Sequence, residues 1–422
     1  MEEEEVIQPV KRGRGRPRKN PGDPSTPRRA QRRNSANPLT DDHEYFQFLP
    51  NRELEVSEEN LQRFFETMYE RQMIWKRRFI DKSLAPWTND EIFQANKFPN
   101  LYRELDRSSW WLISNIIINP ELSLKNKVWK CIVYRLFNSP DFFEFLSVVT
   151  DWEGGIPDYE KFAEQQPKFI TIAKTLQNMG AKPFTDAYII SSSFVANTGK
   201  NRAEAYADNA LSELWASIDL IIDTVLIAES TRDIIDVLVT IPGVQKFIAN
   251  ELMQDMIYIN RFSKEDFIPF NVNELTNVGP GSLLGLRIIF PNRVINSQRV
   301  SGMRELLAMA EEKLNEVAEQ AGEPMVYAKY DPDKKGYVPT HEFNLTLNNI
   351  EGWLCEYSKY WKIAMKVGKM QRKFKPVSSP DTYDGASVES TSAENASTEN
   401  ASAENASTEN ASTEENTTED LM

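Results

Sequence analysis

The chain has 422 residues and a formal charge of −14, room for two or three average domains or one large domain with tails. The charge is uneven: residues 11–33 hold ten Lys/Arg against one acid, residues 385–422 hold nine acids and no base, and the middle, with Glu2–Glu5 also set aside, is acidic by ten. This excludes a body that grips a polyanion through its average field and directs any nucleic-acid affinity to the amino-terminal arm.

Residues 1–40 are rich in Pro, Arg, Gly, Asn and Ser, bury too little apolar surface to order themselves, and are expected to be disordered. Within them lies Lys11-Arg12-Gly13-Arg14-Gly15-Arg16-Pro17-Arg18-Lys19. Proline fixes an extended backbone and glycine permits close approach, so Arg14, Gly15, Arg16, Pro17 and Arg18 suit the narrow, electronegative minor groove of A·T-rich double-stranded DNA. Residues 11–19 resemble an AT-hook. The alternatives are a generic basic tail or a nuclear import signal, and Arg28-Arg29 and Arg32-Arg33 extend the run.

From 41 to about 370 the pattern is helical, giving a mainly α multi-helix domain. Ser57 reads as a cap before the stripe Leu61, Phe64, Phe65, Met68, Met73 and Trp75, whose spacing marks a core face. Lys76-Arg77-Arg78 is either a phosphate contact or a solvated helix face. On a helix beginning near Asn100, Arg103 and Arg107 would share one face, with Asp106 beside them. Such a pair suits either bidentate phosphate binding or a salt-bridge network. Further helices are expected over 110–118 and 127–137, around a turn at 153–157 within 142–180, and from 203 to 239 as one long amphipathic element. The polar loop 191–202 contains Thr198-Gly199-Lys200, but Phe194 stands where a P-loop needs glycine, which excludes that nucleotide site.

Residues 241–290 hold two glycine turns, Pro242-Gly243 and Gly279-Pro280-Gly281, with Glu265-Asp266 between them. Each turn would serve either to aim helix-start N–H groups at an anion or to pack helices tightly. A single helix is expected from Met303 to Gly322 and a last one from Leu347 to Lys366. Residues 331–342 partly match a calcium loop, but Lys335 occupies a ligand position, and a turn is the competing reading. His43 and His341 are the only histidines and have no cysteine partners nearby, so no metal site is expected, and no cofactor motif is found. Cys131 and Cys355, 224 positions apart, form neither a disulfide framework nor a zinc knuckle. No apolar run approaches the roughly 18 residues of a membrane span, so a soluble intracellular protein is expected. Residues 371–422 form an acidic low-complexity tail with a period-five Ala-Ser-Thr/Ala-Glu-Asn repeat.

The ordered blocks WTNDEIF, KFPNLYRELDR, YRLFNSP, PFTDAYII, IPGVQKFIANELMQD, VGPGSLLGL and LCEYSKY, between 85 and 362, resemble the helical domain associated with 5-hydroxymethyluracil DNA kinases. This is also known as the alpha-glutamyl/putrescinyl thymine pyrophosphorylase family. The resemblance implies a DNA-glycosylase-like helical fold with a helix-hairpin-helix element, acting on or reading modified thymine. In phage systems the family is taken to displace pyrophosphate from an activated hydroxymethyl base and install an amine or amino acid. It implies a hairpin at 241–244, in which Gln245 replaces a usual glycine. It also implies an essential carboxylate about twenty residues later, Asp266 or alternatively Glu265, to stabilise a flipped nucleotide or serve as base. Arg103, Asp106, Arg107, Gly243, Gly279 and Gly281 are the phosphate or base-pocket candidates. No kinase accompanies the domain, so an activated base would come from a separate enzyme. The expected protein is nuclear and either modifies bases or, without chemistry, reads them as a chromatin-associated binder or scaffold.

Overall fold

A computed structural model describes residues 55–184, 204, 208, 210–241, 243–262, 268, 273, 278–292 and 299–368. The basic arm 11–19, the polar loop 191–202, Pro242, Glu265, Asp266 and the acidic tail lie outside the described residues. Twelve α-helices and one two-stranded antiparallel hairpin make up the described chain. In order these are α1 (Glu58–Trp75), α2 (Glu91–Ala95), α3 (Arg107–Leu112), α4 (Leu124–Phe137), α5 (Pro140–Val149) and α6 (Phe162–Asn178). After them come α7 (Leu211–Ile227), α8 (Thr231–Leu238), α9 (Lys246–Phe262), α10 (Pro280–Ile289), α11 (Arg299–Ala321), β1 (Tyr327–Asp331), β2 (Gly336–Thr340) and α12 (Leu347–Ala364).

Two apolar cores organise these elements. The first is built from α3 to α9, with Trp129, Phe137, Phe143, Ile218 and Leu252 at its centre. The second gathers α1, α2, α10, α11, the hairpin and α12 around Phe64, Leu286, Leu314, Trp353 and Tyr357. The described chain therefore starts in the second core, leaves it after α2 to build the first, and returns at α10. Such a path leaves a junction where polar groups from distant segments meet.

Local sequence explains the boundaries. α1 starts after extended Ser57 with Glu58 and Glu59 in its first turn, a placement the helix dipole favours. The apolar stripe is buried as its spacing requires: Phe64, Phe65, Met68 and Met73 are fully inaccessible. α4 opens where Ser123 accepts from Asn126 N and ends at left-handed Asn138 (φ 55°, ψ 35°), after which Pro140 begins α5. α12 opens with Thr346 and Asn349 in reciprocal capping contacts.

Two local expectations are corrected. The stretch 203–239 is not one helix: the described part breaks at Ala228-Glu229-Ser230, where Asp233 accepts from Ser230 N (3.0 Å) and the Ser230 hydroxyl (2.9 Å) and so starts α8 afresh. No continuous helix starts near Asn100. Residues 103–105 make one 3-10 turn, Asp106 is extended (φ −78°, ψ 142°), and α3 begins only at Arg107. The cause is local: Asp106 Oδ1 accepts from Asn100 N (2.9 Å) and Nδ2 (3.0 Å), and the same amide donates to Leu105 O (2.8 Å). These bonds occupy groups that a helix would otherwise use. The calcium-like segment is a hairpin turn, with Asp331 Oδ1 accepting from Asp333 N (3.0 Å) and Lys334 N (3.3 Å).

Candidate functional site at the junction of the two cores

The junction carries charged side chains that were taken out of water, which is costly unless each meets a partner. Arg103, on the 3-10 turn, pairs with Glu251 on α9, whose side chain is 2% exposed. One turn further along α9, Asp255 receives both arms of Arg135 from α4, with each N–O distance 2.7 Å. Neither partner exceeds 1% exposure, so the pair is sealed in protein. Arg135 also donates to Asn138 Oδ1 (3.1 Å) and Ser109 Oγ (3.2 Å), which satisfies its remaining face. Burial pushes the Asp255 carboxyl up and Arg135 opposes that push.

A third carboxylate arrives from the second core. Glu351 on α12 is buried and accepts from the Ser282 hydroxyl (2.7 Å) and from Gly279 N (3.4 Å), at the start of α10. Burial raises its carboxyl above the ordinary range; Ser282 and Arg103 pull it down, and Glu251 raises it. Arg103, Glu251 and Glu351 thus feel one another across the junction. Beside them Glu104 is also buried, accepting from Tyr258 OH (3.2 Å) and Arg261 Nη1 (3.3 Å). Glu104 and Asp255 raise the Tyr258 hydroxyl further above the value that burial alone sets, while Arg103 and Arg135 lower it.

The residues singled out from sequence fall into distinct places. Gly279 N donates to Glu351, whose carboxyl is pulled down by the charge of Arg103. Arg107 turns away from them to pair with Asp141 on α5. Asp106 binds Asn100, and burial lifts its carboxyl while Arg103 and Arg71 oppose the lift. Gly243 has φ +84°, with Val244 N donating to Ile241 O (3.0 Å), the tight turn joining α8 to α9. Gln245 and Lys246 are exposed at its outlet. Gly281 serves packing: a Cβ there would sit 2.5 Å from Cys355 Sγ. Lys76 and Arg77, open to two readings in the sequence, are tied into ion pairs with Asp81, Glu70 and Glu323.

Glu104, Arg135, Glu251, Asp255 and Glu351 were not legible as site residues. One signal was available: Arg135 stands in the apolar run Cys131–Phe137, and Glu251 and Asp255 lie one turn apart on a helix, next to the apolar Leu252, Met253 and Met256. Charged residues in such positions need partners, but the sequence does not say which. Among the described residues no group of three His, Cys, Asp or Glu side chains is arranged to hold a metal ion, and no described helix is long and apolar enough to cross a membrane. A groove of about 590 Å³ lies elsewhere, lined by Arg63, Glu70, Trp87, Asp90 and Tyr360. It contains none of the junction charges.

The family model for the helical domain of 5-hmdU DNA kinase matches residues 58–370, which takes in both cores and the junction. The 5-hmdU DNA kinase of Bacillus phage SP10 is 27% identical over 305 residues, a span covering 71% of this chain and 44% of that protein. The chain thus spans less than half the length of this relative. No solved structure matches significantly. With a matched region that covers most of its length, the chain belongs to the family of the 5-hmdU DNA kinase helical domain.

Proposed function

We propose that this chain is a nuclear DNA-binding protein that reaches A·T-rich duplexes through Arg14, Arg16 and Arg18 and modifies hydroxymethylated uracil or thymine bases with its helical domain. The observation that supports chemistry is the junction. Three carboxylates, Glu251, Asp255 and Glu351, gather with Arg103 and Arg135 where the two cores meet, in a family whose relative is named for a hydroxymethylated nucleoside of DNA. A glycosylase-like arrangement, with the turn at Gly243 as its hairpin, would bring a base to that junction. There an incoming amine nitrogen would bond to the exocyclic methylene carbon as the carbon–oxygen bond to pyrophosphate breaks, and a carboxylate would take the amine proton. The activated base would come from a separate enzyme.

A second reading has its own support. Arg103, Arg107, Arg135, Asp106 and Gly279 N are each engaged within the chain, as expected of a scaffold that reads modified DNA without altering it.

Mass spectrometry of nucleosides separates the two. DNA containing 5-hydroxymethyluracil, with and without prior pyrophosphorylation, is incubated with the chain and an amine donor. A new base adduct with the wild type and none with Glu251→Gln supports the enzyme; binding with no adduct under any condition supports the reader. Arg14, Arg16 and Arg18→Ala should abolish the preference for A·T tracts, and unchanged preference refutes the hook.

A further inference from the structure

The hairpin β1–β2 presents an aromatic face that neither reading uses. Tyr330 and Tyr337 stand opposite each other across the strands, with ring centroids 5.6 Å apart. Trp110, from the end of α3 in the first core, packs against both at 6.5 and 5.6 Å, and Phe262 at the end of α9 meets Tyr330 at 4.5 Å. The ladder continues inward: Phe262 stacks on Tyr258 (6.2 Å, 26°), whose hydroxyl reaches buried Glu104 in the junction. Trp110, Tyr330, Tyr337 and Phe262 all keep partial exposure. A row of rings therefore runs from the surface to the charged junction.

The charge around it points to the kind of partner. Residues 327–342 hold Lys329, Lys334 and Lys335 against Asp331, Asp333 and Glu342, a neutral patch on a body that is acidic by ten. Such a patch has no excess charge with which to hold a phosphate, yet it does not repel a polyanion as the rest of the body does. What it offers is π surface, and every nucleobase has a π face. In a duplex those faces are occupied by neighbouring bases, so only an unpaired base can use the platform.

We infer that Tyr330 and Tyr337, backed by Trp110, form a stacking platform for one unpaired base of DNA at the outer end of the junction. This rests on the DNA-acting reading above and names the form of DNA that the body contacts. Rings placed there would hold an extruded base while the amino-terminal arm holds the duplex.

The test uses the full chain and an A·T-flanked oligonucleotide carrying 5-iododeoxyuridine at one position, either unpaired or fully paired, with photocrosslinking and peptide mapping. Crosslinks from the unpaired probe are expected on the peptides that hold Trp110, Tyr330 or Tyr337, and are expected to be lost with the paired probe. In the Arg14, Arg16 and Arg18→Ala background, Tyr330→Leu should weaken binding of the unpaired probe about thirtyfold, the middle of what one stacked ring contributes, and Tyr330→Phe should not. Crosslinks confined to other residues of the body overturn the platform and leave the DNA-acting reading standing. Absence of DNA binding by the intact chain overturns both. The crosslinking arm uses the wild-type chain, so it decides even where Tyr330→Leu fails to fold.

Discussion

The contact between α10 and α12 yields the most quantitative expectation, because Gly281 and Gly285 lie one turn apart on the face that meets α12. A Cβ at Gly285 would stand 2.4 Å from Leu354 O and 3.0 Å from its carbonyl carbon, so backbone would have to move by about 1 Å to restore ordinary contact. Overpacking of this kind costs typically 1–3 kcal/mol, and the upper end applies because no side chain can rotate away. Alanine in a helix interior regains about 1 kcal/mol. Gly285→Ala should therefore lose about 2 kcal/mol net, or roughly 4–8 °C of Tm for a large domain. At Gly281 the clash is with Cys355 Sγ at 2.5 Å, while Cys355 Cβ and Cα lie at 3.4 and 3.5 Å. Removing the sulfur with Cys355→Ala should thus rescue Gly281→Ala but not Gly285→Ala. Gly352, with nothing within 4 Å of its Cβ position, supplies the opposite sign: alanine there should stabilise by about 1 kcal/mol. Thermal melts followed at 222 nm measure all five variants. The close helix contact is refuted if Gly285→Ala melts at or above the wild type, or if Cys355→Ala rescues both glycine variants equally.

Two further outcomes follow from the junction. Arg135→Met leaves Asp255 buried without its partner and should cost about 3–5 kcal/mol in denaturant melts, whereas Arg135→Met with Asp255→Leu should recover most of that loss; a double variant no better than the single one contradicts the pairing. Glu351 has its folded pKa raised above the ordinary 4.5, so the protonated carboxyl favours the fold below that value and the contribution is lost as pH rises through the folded pKa. Glu351→Gln should accordingly match the wild type in Tm near pH 4 and exceed it at pH 8, the gap opening until the folded pKa is passed, and a gap that is constant with pH would show that Glu351 is not the titrating group.

The helices α1 and α12 were readable because caps and a 3.6-residue apolar stripe agree over 18 residues each. The break before α8 was missed although Ser230 and Asp233 have the spacing of a capping box, because the apolar pattern continues through Ala228 and the segment carries no Pro or Gly. The turn at Asn100–Asp106 was misread for a related reason: spacing suggested a shared helix face, while three local hydrogen bonds of Asn100 and Asp106 outcompeted the helix. Of the residues picked out for the site, Gly279 N donates to Glu351, and Arg103 pairs with Glu251 and pulls the same Glu351 carboxyl down. Their partners were hidden because Arg103 and Glu251 are 148 residues apart and Arg135 and Asp255 are 120 apart. Only tertiary structure converts a charge in an apolar run into a named pair. The glycines of 279–281 were open to two readings, and at Gly281 the geometry favours close helix packing.

The charge count of the junction bears on which reading of the protein holds. Arg103 pairs with Glu251 and Arg135 with Asp255, while Glu351 is held by the Ser282 hydroxyl and Gly279 N, so ionising Glu351 adds an excess negative charge in a setting where burial already raises its carboxyl. A proton on Glu351 removes that excess, and a scaffold would need nothing more. A cationic amine removes it equally well, and an enzyme that installs amines would have reason to keep the excess available. Linkage separates the two cases: a ligand that favours the ionised carboxylate must lower its pKa, and must therefore stabilise the fold more at high pH than at low pH. An amine that raises Tm at pH 8 but not at pH 4, and does so in the wild type but not in Glu351→Gln, would identify the excess charge as a binding determinant. Equal melting with and without amine across that range would leave Glu351 as a protonated structural group and favour the reader.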